Sequence, residues 1–162
     1  KSTMNKTAKL DKVDYQLLRL LQRNSNVTHD YLSRQIGLSK AAVFERVKRL
    51  ETVGYIKNYY ALIDTEKAGL NVTFFLQVAL ASNSQTAIRL FLQKVDEVDA
   101  IIECHHVTGF ANFLLKIVTT DMHSFQQLLL GEMSKIEEIG SIASMIVLSV
   151  VKDSKVIPLP AD

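Results

Sequence analysis

Two stretches carry side chains able to do chemistry. The first is KAAVFERVKR, residues 40–49. At helical spacing Val43, Val47 and Leu50 form one apolar stripe. Lys40, Ala41, Phe44, Glu45 and Lys48 then face outward, with Arg46 and Arg49 on the flanks and Ser39 at the N-terminal end. Small residues at that end let a helix sit deep in a major groove, and the cations around it reach phosphates or guanine edges. A solvated helix in an ordinary bundle is the plainer alternative. Glu45 can accept a hydrogen bond from a cytosine amine or pair with Lys48 or Arg49 along the helix.

The second stretch is CHHVTGFANFLLK, residues 104–116. Cys104, His105 and His106 follow Glu103 and invite a metal reading. Neighbours on a strand alternate faces, so only Cys104 with His106, or Glu103 with His105, can converge. Two ligands are too few for a structural zinc site, and no CxxC or HxxxH supports them; packed or interfacial residues are the expectation, with no metal and no cofactor. The chain carries no P-loop, nucleophile elbow, HExxH or GxGxxG, so no enzyme is expected. The polar island Thr108–Asn112 is either a plain hairpin turn or the lining of a pocket.

The elements that position these residues divide the chain in two. The first part reads as three helices. Val13, Leu17, Leu18, Leu20 and Leu21 give the first its apolar stripe, and Tyr31, Leu32 and Ile36 give the second its face. Thr28 and Ser39 are N-caps; Gly37 and Gly54 end helices. Only Gly37-Leu38-Ser39 separates the second and third helices, the tight junction of a helix-turn-helix. YIKNYYALID, from Tyr55, reads as a strand, with Ile56 packing back on the third helix. After Gly69 the order becomes β-α-β-β-α-β, the ferredoxin-like arrangement. Its helices turn Ile88, Leu92 and Val95, then Phe125, Leu128, Leu129 and Met133, inward, and SIASMIVLSVVK is the final strand. Both helices pack on one sheet face. The strands are apolar on both faces, which predicts a homodimer formed through the sheets. The expected organisation is a flexible tail over 1–9, a helix-turn-helix domain over 10–57, a linker over 58–69, a ferredoxin-like domain over 70–153 and a loose tail over 154–162.

Composition fits this α+β reading. The 162 residues are 48% hydrophobic and 22% charged, enough apolar content for a core and too little charge bias for disorder. No run approaches a membrane span, and the lysine-rich N-terminus has no apolar stretch like that of a signal peptide. A single cysteine makes a reducing cytoplasm the default. Net charge is +2, but unevenly spread: through Asp64, 12 Lys/Arg face 6 Asp/Glu, and beyond it 7 face 11. The basic half suits a polyanionic partner.

The residues LD..D..LL..LQ.N from Leu10, LS...GLS...V..RV.RLE..GYI, and EC..VTG..NFLLK, followed by MIVLSVVK, fall in order from Leu10 to Lys152. In this the chain resembles the leucine-responsive regulator/AsnC family, the feast/famine transcription regulators of bacteria and archaea. The resemblance implies an N-terminal winged helix-turn-helix, a ferredoxin-like sensing domain, and dimers that build octamers or other rings. It also implies a small amino-acid effector held in clefts between dimers. Carried over by position, the effector residues are Thr108, Gly109, Phe110 and Asn112 in the loop, Met122 at the start of the following helix, and Met145, Ile146 and Val147 in the last strand.

One departure stands in the loop. Many amino-acid-responsive members carry Gly-Asp-x-Asp where this chain has Gly109 to Asn112. Phe110 and Asn112 take the acids' places, so no carboxylate is present to hold an ammonium group. A neutral acceptor such as the Asn112 carbonyl gives a weaker bond. Met122, Met145 and Ile146 suit an apolar side chain; Asn112 suits a polar one. Two other functions remain in view: an effector-independent protein that compacts DNA, and an amino-acid-binding enzyme or metabolic regulator without DNA activity.

Overall fold

The computed structural model describes residues 9–160. The N-terminal tail expected over 1–9 lies, except for Lys9, outside the described residues. Contacts divide the chain into two units: the residues up to Leu62 with those from Lys152 onward, and Ile63–Val151.

The first unit holds α1 (Lys12–Arg23), α2 (His29–Ile36) and α3 (Lys40–Val53). The starts of α2 and α3 are capped as the sequence predicts. Thr28 accepts from the Tyr31 N–H and Ser39 from the Ala42 N–H. Asp11 and Asp14 form a reciprocal capping box on α1. Gly37 ends α2 at φ 76°, a left-handed conformation that costs glycine little. Leu17, Leu21, Leu32, Val43, Val47 and Leu50 form the core, with Ile56 packed against it as expected. Tyr31 departs from its expected inward position and is exposed. Adjacent helical residues point about 100° apart, and Leu32 with Ile36 takes the core side.

The strand expected over 55–64 does not form. A strand needs a ladder partner to satisfy its backbone, and no described strand of the chain lies against this one. Tyr59 instead donates its hydroxyl to Glu51 Oε1 at 2.8 Å. Burial, then the adjacent carboxylate, pushes its pKa up to about 12.

The second unit is a four-stranded antiparallel sheet in the order β2-β3-β1-β4. Its elements are β1 (Val72–Leu80), α4 (Gln85–Asp96), β2 (Ile101–His106), β3 (Phe113–Thr119), α5 (Met122–Gly131), a short 3-10 turn (Met133–Lys135) and β4 (Ile139–Ile146). Phe74, Leu76 and Val78 alternate inward on β1 and meet Phe91, Val95, Phe125 and Met133. Such burial contributes about 1.5–3 kcal/mol per large side chain. The opposite face carries Phe75 between Lys116 and Met145, and Gln77 between Leu114 and Ala143.

Two expectations are corrected here. On α4 the inward residues are Phe91 and Val95, with Ile88 part-buried; Leu92 is exposed along a groove beside β2. Both patterns fit helical spacing, and the larger Phe91 fills the core. The last strand begins at Ile139 and stops at Ile146, short of Lys152. Its final bond runs from the Val147 N–H to the Thr73 carbonyl, at the start of β1. Past that point β1 offers nothing to pair with, so the apolar residues Leu148, Val150 and Val151 are left exposed.

The tail expected to be loose is tied down in part. Gln22 donates to the Ile157 carbonyl and accepts from the Ile157 N–H, both at 3.1 Å. Arg19 donates to the Pro160 carbonyl.

Candidate functional site

The cationic helix is α3, and its outward residues are placed as the sequence predicts. Lys40, Ala41, Phe44, Glu45 and Lys48 are exposed. The hydroxyl of Ser39 is committed to the Ala42 N–H, so its first role is to fix the start of α3. Glu45 pairs with neither Lys48 nor Arg49, and its carboxylate stays available as an acceptor.

Arg46 and Arg49 differ from the simple reading. Arg46 Nη1 donates to Asp11 Oδ2 at 2.7 Å and to Asp14 Oδ1 at 2.9 Å. Arg49 Nη2 donates to Asp14 Oδ2. Asp14 has no exposed side-chain surface. The two arginines therefore clamp α3 to the start of α1. The Asp14 N–H bond and then Arg46 hold Asp11 below the usual carboxylate range; Asp11 in turn raises Arg46 further. Asp11 and Asp14 were absent from the functional reading, although an acid at the N-cap with a second three residues on is a legible capping signal. His29, at the first position of α2, meets Phe44 edge-on at 5.3 Å. No sequence pattern announces that contact.

The polar island is the β2–β3 hairpin turn. Gly109 adopts φ 121°, a conformation side chains resist. Phe110 stands fully exposed at the tip, and Thr108 is exposed beside it. Asn112 is engaged on every side. Its N–H donates to the Val78 carbonyl, and its carbonyl accepts from the Val107 N–H, both at 2.9 Å. Its side-chain oxygen accepts from the Leu80 N–H at 2.7 Å, and its amide donates to Asn83 Oδ1 at 2.8 Å. The bond to Leu80 falls where the β1–β4 register shifts, between Ala79 and Leu80. Asn112 thus repairs an irregularity in the sheet, and its carbonyl is not an idle acceptor.

The remaining residues of the predicted effector set lie elsewhere. Ile146 pairs with Phe74 and Met145 with Phe75, while Val147 bonds to Thr73. Met122 opens α5 just after Thr119, the partner of Val72. These four sit at the Val72 end of the sheet; the loop sits at the Leu80 end. Six residues of strand, at about 3.3 Å each, put about 20 Å between the groups. One chain does not bring them together.

The Cys104/His106 and Glu103/His105 pairs alternate as expected. Glu103 binds His105 Nε2 at 3.0 Å and Lys116 Nζ at 3.1 Å, and the two bonds, His105 first, hold its pKa low. Among the described residues no group of three or more His, Cys, Asp or Glu could hold a metal ion. No helix among them is long and apolar enough to cross a membrane.

Comparison with known proteins joins the two sites. Residues 10–57 match the winged helix-turn-helix DNA-binding model. Residues 73–157 match the Lrp/AsnC ligand binding domain. The chain is 31% identical over 150 residues to the transcriptional regulator AzlB of Bacillus subtilis, covering 93% of this chain and 96% of that one. It is 33% identical over 152 residues to the glutamate uptake regulatory protein of Zymomonas mobilis, covering 94% and 92%. A Neisseria meningitidis transcriptional regulator, solved as a complex with L-Met, superposes with a TM-score of 0.88 at 29% identity, covering 93% of this chain and 97% of that one. With a helix-turn-helix ahead of a ligand-binding domain, the chain belongs to the Lrp/AsnC family of transcriptional regulators.

Proposed function

We propose that the protein is a cytoplasmic, homo-oligomeric regulator that presents paired copies of α3 to operator DNA and holds an amino-acid effector between copies. The observation that carries the DNA role is the exposed face of α3, Lys40-Ala41-Phe44-Glu45-Lys48, held against α1 by Arg46 and Arg49. Two such helices in one dimer reach major-groove faces a helical turn or a multiple apart. The sheet face bearing Phe75, Leu114 and Met145 is the surface for dimerisation, and dimers assemble further into an octamer or another ring. No catalytic step belongs to this reading.

The separation of the loop from Met122, Met145, Ile146 and Val147 supports an effector site shared by two copies. Thr108, Gly109 and Phe110 of one copy would face the other group on its neighbour. Asn112 supports this site by shaping the loop. Methionine is the first effector to test, because the similar Neisseria protein was solved with L-Met. A thermal-shift and calorimetric screen of the oligomer against the common amino acids should show one that stabilises it in proportion to ligand over Kd. That ligand should also change DNA affinity, since coupling requires different affinities for two states. No stabilisation by any of them sinks the effector assignment.

The engaged Asn112 amide and the missing carboxylate favour one alternative, effector-independent DNA compaction. Titration on selected and random duplexes separates the two. A ratio near one supports compaction.

A further inference from the structure

We propose that Phe44 and Ala41, backed by His29, form an apolar seat for the C5-methyl group of thymine in the operator major groove. This inference rests on the DNA-binding role of α3 given above.

Phe44 is 46% exposed and absent from the core of its domain, so its ring is open to a partner on the cationic face of α3. Its ring is held in place. His29 packs edge-on at 5.3 Å and 71°, and Lys48 Nζ lies 5.9 Å from the ring centroid. Lys40, Ala41 and Glu45 complete a shallow depression with these two rings. Ala41, one turn before Phe44, leaves room for a small group to approach.

The depression sits on the first turns of α3, where a recognition helix meets base edges. The apolar group at a base edge in a B-form major groove is the thymine methyl, and alanine and phenylalanine are side chains that contact it. Lys40 and Lys48 flank the seat with charges suited to phosphate or guanine. Glu45 makes no ion pair among the described residues and can accept from a neighbouring cytosine amine. A protein partner would also favour an exposed ring. The cationic rim and the position on α3 favour DNA.

The test uses the full chain and duplexes it selects from a random pool. Each thymine of the half-site is replaced singly by deoxyuridine, which removes only the methyl group. At one position per half-site affinity should fall about fourfold, the size expected for one buried methyl. Phe44→Ala should bind more weakly and lose that discrimination, with an unchanged melting temperature. Replacing that T·A pair by 5-methylcytosine·G should bind better than plain C·G, because the methyl returns. Full affinity with every thymine replaced overturns the seat while leaving DNA recognition intact. Failure of the wild-type chain to bind any duplex overturns the DNA-binding role itself.

Discussion

The Arg46 guanidinium lies 2.9 Å from an oxygen of Asp14, a carboxylate with no exposed surface, 32 residues away in sequence. A charge so buried is tolerated only when paired. Arg46→Ala should therefore destabilise the DNA-binding domain by about 2 kcal/mol, less than a full buried-pair loss because Arg49 still reaches Asp14 and Arg46 is itself partly exposed. Denaturant unfolding measures this. Unchanged stability would mean that the clamp contributes nothing, and any DNA defect would then be a contact defect.

Lys40 and Lys48 separate binding from folding. Among the described residues neither is paired with a carboxylate. The double substitution to alanine should leave the melting temperature within a degree or two. It should lower the slope of log affinity against log salt by about two per bound copy, about four for a dimer. A mobility shift at several salt concentrations reads this out; an unaltered slope would remove both lysines from the phosphate interface.

Asn112 ties the end of β1 and the loop at Asn83 to the hairpin through its side chain. Asn112→Ala leaves the Leu80 N–H without its acceptor and should cost about 1–3 kcal/mol. Asn112→Asp keeps an oxygen for Leu80 and should cost less. Thermal unfolding of the three proteins ranks them. Equal melting temperatures for alanine and wild type would show the bond to be dispensable.

Acid should weaken the first domain. The Asp14 N–H and Arg46 hold the pKa of Asp11 below its ordinary value of 3.8. A lowered carboxylate contributes stability that is present above the unfolded value and lost as pH falls through the folded one. Asp11→Asn should flatten the decline in stability below about pH 4. An identical acid limb in both proteins would assign the loss to other carboxylates.

Local signals made much of this fold legible. Gly37, Gly54, Thr28 and Ser39 mark boundaries by backbone chemistry that acts within a few residues, and all four serve as read. Val43, Val47 and Leu50 follow from a 3.6-residue period. What failed depends on partners distant in sequence. The apolar run after Ile146 reads as strand, but it runs past the first residues of β1 and finds nothing to pair with. The structural share of Arg46 and Arg49 is hidden in the sequence because their bonds to Asp11 and Asp14 span more than 30 residues. The bond from the Leu80 N–H to Asn112 is hidden in the same way, because the two residues are 32 apart in sequence. The family-like motif located the loop, and only geometry revealed the bonds Asn112 makes there.

The paired bonds between Gln22 and Ile157 bear on how this protein can be taken apart. A fragment cut after α3 would lose the strap that returns to α1, so the unit that carries α3 is not one continuous stretch of sequence. For exchange between regulators, Ile63–Val151 is better treated as a cassette with two splice points. A chimera joined only at the first would carry a foreign strap against Gln22.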